Sequence, residues 1–319
     1  MTHDRRMIGL AELGSWDGPG ELVAFLGVTT GGSRSHDVFP GWAAVLGRPD
    51  WTLRGVDLPL TAPDDAYDDL VAAVAANPRV AGAVVTSHKL RLYRTGTARA
   101  CRTDVLVDLT HEVNTLARTP GGVDAHARDP LALTAVLRGQ TPPADVVVYG
   151  AGGAGTALLL ALTLDVEATL AAGHPAPRGA RPATITVLDT DAAALAALRA
   201  TAERCGVLND RLRLLDAHEP APPIPEHALV VNATGLGKDR PGSPLPPGAV
   251  LPATATAWDF NYRGDLTFLA DARAYGATAV DGWEYFVAGW GAALTAIAGR
   301  PLTGDLLAEL ATAAAPHRP

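Results

Sequence analysis

The chain has 319 residues, of which 48% are hydrophobic and 19% are charged, a composition typical of globular proteins. Its 26 Lys and Arg residues stand against 34 Asp and Glu residues, which gives a net charge of −8. This balance argues against nucleic acid as a partner, because neutralising phosphates requires clustered basic side chains. The length exceeds that of one ordinary hydrophobic core and predicts two domains.

Neither targeting segments nor metal motifs are visible. The first seven residues carry two arginines but lack the apolar stretch of a secretory signal. Apolar runs such as residues 157–162 are far shorter than the ~20 residues that cross a bilayer. Cys101 and Cys205 lack the spacing of a zinc site, and the histidines lack metal-ligand spacing. We therefore expect a cytoplasmic protein that binds no metal and contacts no membrane.

The first part of the chain alternates strand and helix patterns. Apolar and β-branched runs predict strands, and apolar residues at helical spacing predict helices. The predicted strands are residues 22–30, 51–56 and 80–86, and the predicted helices are 64–76 and 130–138. A turn is expected at Pro120, Gly121 and Gly122, and the breaker cluster at 140–143 marks a domain boundary.

The second part of the chain repeats a strand and helix alternation that implies a parallel sheet covered by helices. The predicted strands are residues 145–149, 184–188, 212–215, 229–232, 256–259 and 277–281. The predicted helices are residues 154–164, 191–204, 284–298 and 304–314, and residues 173–182 are expected to form an exposed loop. The fold class is therefore α/β, with a Rossmann-type doubly wound sheet in the second domain.

The run GAGGAG predicts a dinucleotide site. Gly150, Gly152 and Gly155 match G-x-G-x-x-G directly after a strand pattern and directly before a helix pattern. Glycine is needed because the turn is tight and the backbone must approach a pyrophosphate at a helix N-terminus. We therefore expect NAD or NADP as cofactor. The loop residues expected to contact it are Gly150, Ala151, Gly152, Gly153, Ala154 and Gly155.

Asp189 follows the next predicted strand and is placed to accept hydrogen bonds from an adenosine ribose. A carboxylate there disfavours a 2′-phosphate, so NAD is favoured over NADP. The spacing from the glycine loop exceeds the usual ~20 residues, and the loop at 173–182 is expected to explain the excess. The structural alternative for Asp189, an N-cap of the helix that starts near residue 191, is compatible with the ribose contact.

Two runs in the first part, GVTTGGSRS at 27–35 and GAVVTSHK at 82–89, carry glycines, hydroxyl side chains and a lysine. Both resemble segments of the shikimate/quinate dehydrogenase family. The first is similar to the family's opening strand and loop, which implies that Ser33 and Ser35 bind the substrate carboxylate. The run GAVVTSHK at 82–89 resembles the segment that ends in the family's catalytic lysine. The resemblance therefore implies that Lys89 is catalytic and that Thr86 binds substrate.

Further motifs follow in the family's order over roughly residues 23–300. EVNT at 112–115 resembles A-V-N-T, which implies a substrate-binding Asn114, and Asp129 falls on the acidic partner of the lysine. VNAT at 231–234 resembles the loop that lines the nicotinamide, through Thr234. DFNY at 259–262, followed by a threonine, resembles D-x-x-Y-x-x-x-x-T, which implies that Tyr262 lies near the substrate carboxylate.

Four departures from the family pattern concern the substrate. Val84 replaces an asparagine, and the stretch between Thr86 and Lys89 is one residue shorter. Pro130 replaces a glycine, and Gly289 stands where the family has a substrate-binding glutamine. Sites that hydrogen-bond a substrate reject analogues that leave polar groups unpaired. The departures therefore imply a different pattern of hydroxyls or ring substituents.

The resemblance implies a domain at 1–140 that binds substrate and is completed by helices at 284–319, and a dinucleotide-binding domain at 141–283. It implies reversible hydride transfer between nicotinamide and a hydroxyl or keto carbon of a shikimate- or quinate-like cyclic carboxylate, by a monomer or homodimer. Two alternatives stay open at this point: a non-catalytic sensor of NAD or another ligand on the same fold, and a Rossmann reductase of an unrelated ketone or imine.

The candidate catalytic residues also have ordinary structural readings. Lys89 could be a solvated lysine at a strand end, Asp129 a helix N-cap before Pro130, and Ser33 and Ser35 ordinary loop serines. A lysine with a pKa near ~10.4 is a poor base, and a nearby carboxylate raises that pKa further. Burial must lower the pKa of Lys89, or a relay must share the proton.

Overall fold

The computed structural model describes residues 6–95, 101–219, 221–238, 240–246 and 248–319. It is an α/β protein with two six-stranded sheets, which confirms the predicted fold class. The chain divides into two compact units, one formed by residues 1–132 and 287–318 and the other by residues 133–286. Within the described ranges, no helix is long and apolar enough to cross a membrane.

The first unit holds a mixed sheet. Its strands are β1 (Leu22–Gly27), β2 (Thr52–Asp57), β3 (Val80–Val85), β4 (Arg102–Thr103), β5 (Thr115–Thr119) and β6 (Gly122–His126), in the order β2-β1-β3-β5-β6-β4. β1 pairs with β2 and β3 in parallel, whereas β5 is antiparallel to both β3 and β6. The expected turn at Pro120 closes the β5–β6 hairpin, whose strands the sequence reading did not assign.

The helices of the first part are α1 (Leu10–Leu13), α2 (Ser35–Val45), α3 (Asp64–Ala76), α4 (Lys89–Arg94), α5 (Val105–Thr110) and α6 (Asp129–Val136). The sequence patterns found α3 and α6 but missed α1, α2, α4 and α5. α4 has six residues and α5 six, too short to show a periodic apolar face. α2 contains Pro40, which argues locally against a helix.

The C-terminal helices belong to the first unit through residues 287–318. They are α11 (Trp283–Ile297) and α12 (Gly304–Ala314), followed by a 3-10 turn at Ala315–His317. Trp290 stacks on Trp42 with ring centroids 5.7 Å apart and meets Phe25 edge-on at 4.9 Å. The Trp42 indole donates to the Leu310 carbonyl over 3.1 Å. These contacts keep α2 in place despite Pro40, because burying large aromatic side chains outweighs one lost helix hydrogen bond.

The second unit holds a fully parallel sheet. Its strands are β7 (Asp145–Tyr149), β8 (Thr184–Asp189), β9 (Leu212–Asp216), β10 (Leu229–Asn232), β11 (Thr256–Asp259) and β12 (Thr278–Val280), in the order β12-β11-β10-β7-β8-β9. The strand order reverses at β7 and β10. Ligands of such sheets bind outside the carboxyl ends of the strands at that switch point.

Helices α7 (Gly153–Thr163), α8 (Val166–Ala172), α9 (Ala192–Arg204) and α10 (Thr267–Ala274) complete the second unit. One side of the sheet packs into a core that includes Val147, Val230 and Phe268. The helix α8 was not expected, and it ends at Gly173 in the left-handed region. Together with the following loop it accounts for the long spacing to Asp189, which the loop alone was expected to explain.

Candidate functional site

Polar residues of the first unit gather at one edge of its sheet. Parallel strands β1 and β3 both end there, at Gly27 and Val85. The antiparallel strand β5 begins there, because Thr115 pairs with Val84, and β6 ends there, because His126 pairs with Thr115. The segments that carry Ser33, Thr86, Lys89, Asn114 and Asp129 therefore emerge at this edge.

Lys89, Asp129 and Asn114 form one hydrogen-bonded cluster. The Lys89 ammonium donates to Asp129 Oδ2. The Asn114 amide donates to Asp129 Oδ1 over 2.8 Å, and its own carbonyl oxygen accepts the Arg128 N–H at 2.8 Å. The Lys89 side chain is 21% exposed and that of Asp129 12%. A solvated lysine at a strand end is therefore wrong: Lys89 opens the helix α4, with its charge largely buried.

The protonation of this pair follows from its surroundings. Burial alone lowers the pKa of Lys89, but attraction by Asp129 and Glu112 and the hydrogen bond to Asp129 outweigh it and leave that pKa raised. Burial therefore does not make Lys89 a neutral base at neutral pH. Of the two possibilities, a pKa lowered by burial and a proton shared through a relay, only the second remains. The Asp129 carboxylate, held by Lys89 and Asn114, is the group that can share it.

Glu112 is a buried acid beside the cluster that sequence reasoning missed. Glu112 is only 7% exposed. The backbone N–H of the next residue, Val113, donates to the Lys89 carbonyl over 3.2 Å. Burial raises the pKa of Glu112 to about 7, with repulsion by Asp129 adding to the effect and attraction by Lys89 opposing it. The available signal was its place two residues before Asn114, where the family motif has alanine.

Glu112→Gln should stabilise the protein at alkaline pH. The folded-state pKa of Glu112 is about 7, above its ordinary 4.5, so the folded state holds a proton that the unfolded state has released. Stability therefore falls as the pH rises from the lower value to the higher one, and the glutamine removes that loss. Above about pH 8 we expect a gain on the order of 3 kcal/mol in unfolding free energy by urea titration.

The matched control for this change is Glu203→Gln on the exposed face of α9. It removes one carboxylate without touching the cluster, so its stability difference from the parent should not vary with pH. A difference between Glu112→Gln and the parent that is the same at about pH 5 and about pH 8 would contradict the buried, protonated glutamate.

The loop serines and Thr86 lie at the same sheet edge. Ser35 is fully buried at the start of α2, and its hydroxyl donates to Ser33 Oγ over 2.9 Å. Ser33 is partly exposed, so it is the one of the pair that can meet a ligand directly. Thr86 donates its hydroxyl to the Leu26 carbonyl at 3.2 Å. A Cβ on Gly27 would lie 2.9 Å from that hydroxyl, which explains the glycine.

The glycine loop of the second unit lies at the switch point of its sheet. Gly150 has a φ of +111°, and a Cβ there would lie 2.9 Å from the Ala233 carbonyl group. A Cβ on Gly155 would lie 2.0 Å from the Gly150 oxygen. Gly152, in contrast, faces no protein atom within 4 Å. Two glycines thus serve the packing of the protein, and the third leaves space for a ligand.

The start of α7 is suited to an anion. Gly152 is its N-cap and provides no side-chain acceptor, and no acidic residue lies in the first turn. No side chain at the N-cap accepts from the backbone N–H groups of that turn, so these groups can donate to an approaching pyrophosphate. The residues that would hold the cofactor are Gly150, Ala151, Gly152, Gly153, Ala154 and Gly155.

Asp189 bridges this loop to the next helix. Its Oδ2 accepts the Ala151 N–H at 2.6 Å, and its Oδ1 accepts the Asp191 N–H at 2.9 Å. The N-cap of α9 is Asp191, whose side chain accepts the Ala193 N–H at 2.8 Å. The alternative of Asp189 as that N-cap is therefore wrong. The carboxylate of Asp189 remains at the end of β8, beside the glycine loop.

A buried polar network supports the loop that carries Thr234. The Thr234 hydroxyl donates to Asn232 Oδ1 over 2.6 Å, and the Asn232 amide donates to Asp259 Oδ2 over 3.1 Å. Asn261 donates to Asp259 Oδ1 at 2.8 Å and to the Leu236 carbonyl at 3.1 Å. Burial raises the pKa of Asp259 to about 6, although its hydrogen bonds oppose the rise. The network fixes the ends of β10 and β11 together.

Tyr262 lies in an aromatic group at the end of β11. Its ring packs against Phe286 at 4.5 Å and meets Trp283 edge-on at 5.3 Å between centroids. In the first unit, Gly289 on α11 faces open space, because a Cβ there would meet no atom within 4 Å. Among the described residues, no group of three or more His, Cys, Asp or Glu could hold a metal ion.

Comparison with curated proteins finds a similar dehydrogenase. No protein-family model matches the chain. A curated shikimate dehydrogenase (NADP(+)) of Acidovorax ebreus is 30% identical over 260 residues, which cover 79% of this chain and 84% of the relative.

Solved structures share the fold. Quinate dehydrogenase from Corynebacterium glutamicum in complex with NAD aligns with a TM-score of 0.67 and 20% identity, over 91% of this chain and 98% of that one. Shikimate 5-dehydrogenase from Listeria monocytogenes in complex with shikimate and NAD aligns with a TM-score of 0.64 and 18% identity, over 91% and 96%. Together with the curated relative, these likenesses confirm the resemblance seen in the motifs: the chain belongs to the shikimate dehydrogenase family of NAD(P)-dependent oxidoreductases.

Proposed function

We propose that this enzyme interconverts a hydroxyl and a keto carbon of a shikimate- or quinate-like cyclic carboxylate. The observation that carries the proposal is the largely buried cluster of Lys89, Asp129 and Asn114, in a chain of this family. A charged pair that is mostly removed from water is costly to maintain for stability alone. It is well suited to manage the one proton that accompanies hydride transfer.

NAD or NADP, when bound at the glycine loop, supplies the hydride chemistry. In reduction, Lys89, protonated at neutral pH, donates its proton to the substrate oxygen, and solvent restores that proton. In oxidation, Lys89 first passes a proton to the Asp129 carboxylate, and the resulting neutral amine then accepts the hydroxyl proton. Asp129 holds the ammonium group in place and shares its proton. Asn114 fixes the carboxylate from the other side, so the proton-carrying atom stays in one position.

Ser33, with Thr86 and Asn114, is the proposed polar contact to the substrate, and Ser35 supports Ser33 from below. Tyr262 is proposed to lie near the substrate carboxylate. Val84 is buried where the family pattern has an asparagine, and Gly289 leaves open space where it has a glutamine. We therefore propose a ring substrate that has fewer hydroxyl groups than shikimate, or a bulkier ring substituent in place of one of them.

The test of this function is turnover, followed through the absorbance of the reduced nicotinamide. Purified protein is given NAD or NADP with shikimate, quinate and their amino- and deoxy-analogues. Oxidation of at least one ring carboxylate is the expected result. If none reacts while the protein still binds NAD, the substrate lies outside this ring class and a ligand sensor on the same fold becomes the better explanation.

We further propose NAD as the preferred cofactor. The Asp189 carboxylate lies at the end of β8 and would meet a 2′-phosphate with like charge. Asp189→Ser should shift the ratio of kcat/KM for NADP over NAD upward by about tenfold, as expected for one relieved charge repulsion. Steady-state kinetics with both cofactors measures the ratio.

The matched control is Asp191→Ser, which removes a carboxylate two residues away and keeps a serine N-cap on α9. An equal shift in both variants would attribute the effect to general charge and not to the position of Asp189.

We also propose a cytoplasmic monomer or homodimer without nucleic acid as partner. The net charge of −8 supports the last point, and light scattering gives the oligomeric state.

A further inference from the structure

One cavity of the first unit has four arginines in its lining. Its volume is about 530 Å³, and its charged lining is Arg48, Arg118, Arg128 and Arg300, with His126 and a single carboxylate, Asp124. Small-molecule sites typically enclose roughly 300–1,000 Å³. Lys89, Asn114 and Asp129 are not among its lining residues. These three residues therefore lie outside the cavity, although Asn114 accepts the backbone N–H of Arg128, which lines it.

Two of these arginines keep an uncompensated positive charge. Arg118 donates only to backbone carbonyls, of Val80 at 3.0 Å and of Pro78 at 2.9 Å. Arg300 donates to the Leu46 carbonyl at 3.4 Å. Carbonyls satisfy hydrogen bonds but do not neutralise a guanidinium group. Asp124 does not neutralise them either, because Arg102 binds it through two bonds of 2.9 and 2.6 Å.

Arg128 adds a guanidinium group that is mostly withdrawn from water. Its side chain is 14% exposed and lies 3.2 Å from Asp104, which it shares with His126. Its Nε is buried without a hydrogen-bond partner among the described residues. Burial lowers the pKa of Arg128, and attraction by Asp104 only partly opposes this effect. Burying a cation in this way is costly unless further negative charge is present.

The positive charge of Arg48 is compensated by neighbouring groups of the protein. It lies 3.7 Å from Glu21 and packs over the Trp51 ring at 5.5 Å. Some of these arginines also lie at the C-terminal ends of helices such as α2 and α11, whose last carbonyls attract cations. That explanation covers Arg300, which reaches the Leu46 carbonyl, and in part Arg118, which donates to the Pro78 carbonyl just after α3 ends. It does not cover Arg128, which directly precedes the start of α6, the end of a helix that repels cations.

We propose that this cavity binds a dianionic phosphoryl group. A phosphate monoester carries close to two negative charges near neutral pH, which matches the two guanidinium groups that lack a carboxylate. The planar fork of an arginine binds phosphate oxygens through two parallel hydrogen bonds. The source of the group is either free phosphate or a small phosphorylated metabolite, and the volume of the cavity admits both.

Isothermal titration calorimetry tests the proposal on protein saturated with NAD, so that the glycine loop cannot take the probe. The probes are inorganic phosphate and glycerol 3-phosphate, with glycerol as the neutral control. We expect both phosphoryl compounds to bind and glycerol not to bind. Tighter binding of glycerol 3-phosphate identifies an organic ester as the ligand, and equal binding identifies the phosphoryl group alone.

The variant Arg118→Gln with Arg300→Gln keeps donors for the backbone carbonyls but removes both charges. It should bind the probes at least about tenfold more weakly, whereas Arg199→Gln with Arg273→Gln, exposed on helices of the second unit, should bind as the parent does. Arg300→Gln alone, whose exposed side chain makes one long bond, gives the same test should the double variant not fold. Binding that persists in these variants, or no binding by the parent, overturns the proposal.

Discussion

Lys89→Met is expected to lower kcat by about 10²–10⁴-fold, the usual contribution of one positioned proton-transfer group. The affinity for NAD should stay nearly unchanged, because the glycine loop and Asp189 lie in the second unit and keep all their contacts. Steady-state turnover gives kcat, and titration of the protein with NAD gives the affinity. An equal loss of both would contradict the division of roles between Lys89 and the glycine loop.

Two further variants protect this test from a folding defect. Removing Lys89 leaves Asp129 largely buried without its cation, which typically costs about 3–5 kcal/mol. Lys89→Met with Asp129→Asn removes both charges together, so it should fold better than the single variant and remain equally inactive. Arg94→Ala changes an exposed cation on the same helix α4 and should leave both kcat and affinity as they are.

The parts of the fold that sequence predicted are those with local signals. The six strands of the second sheet are short apolar runs between breakers, and each was found within two residues of its observed ends. The glycine loop was found because a tight turn before a helix has a characteristic spacing of glycines. Lys89 and Asp129 were paired only through the resemblance to a family, since nothing local joins residues that are forty positions apart.

The parts that sequence missed depend on contacts across the chain. The helix α2 forms around Pro40 because Trp42 packs against Trp290 and bonds the Leu310 carbonyl, which come from distant segments. Glu112 was not singled out from the sequence, because its burial depends on the β5–β6 hairpin folding next to α4. Asp189 was expected to accept hydrogen bonds from a ribose, and its additional bond to the Ala151 N–H follows from the pairing of β7 with β8.

Gly152→Ala should weaken NAD binding by about tenfold or more without lowering the melting temperature. The backbone at Gly152 has a φ of −71°, which alanine adopts freely, and an added Cβ meets no protein atom within 4 Å. The new methyl group would instead occupy the space that a pyrophosphate needs for close approach to the loop. Fluorescence titration with NADH and a thermal melt of the free protein measure the two effects.

The companion change Gly155→Ala should have the opposite balance. Its Cβ would lie 2.0 Å from the Gly150 oxygen, so the first turn of α7 must move away from β7, and overpacking of this kind costs about 1–3 kcal/mol. We expect both the melting temperature and the NAD affinity to fall. Gly179→Ala, in an exposed loop with open space around it, should change neither quantity. If Gly152→Ala binds NAD with the affinity of the parent, the open space at Gly152 is not the pyrophosphate site, because the added methyl group fills that space.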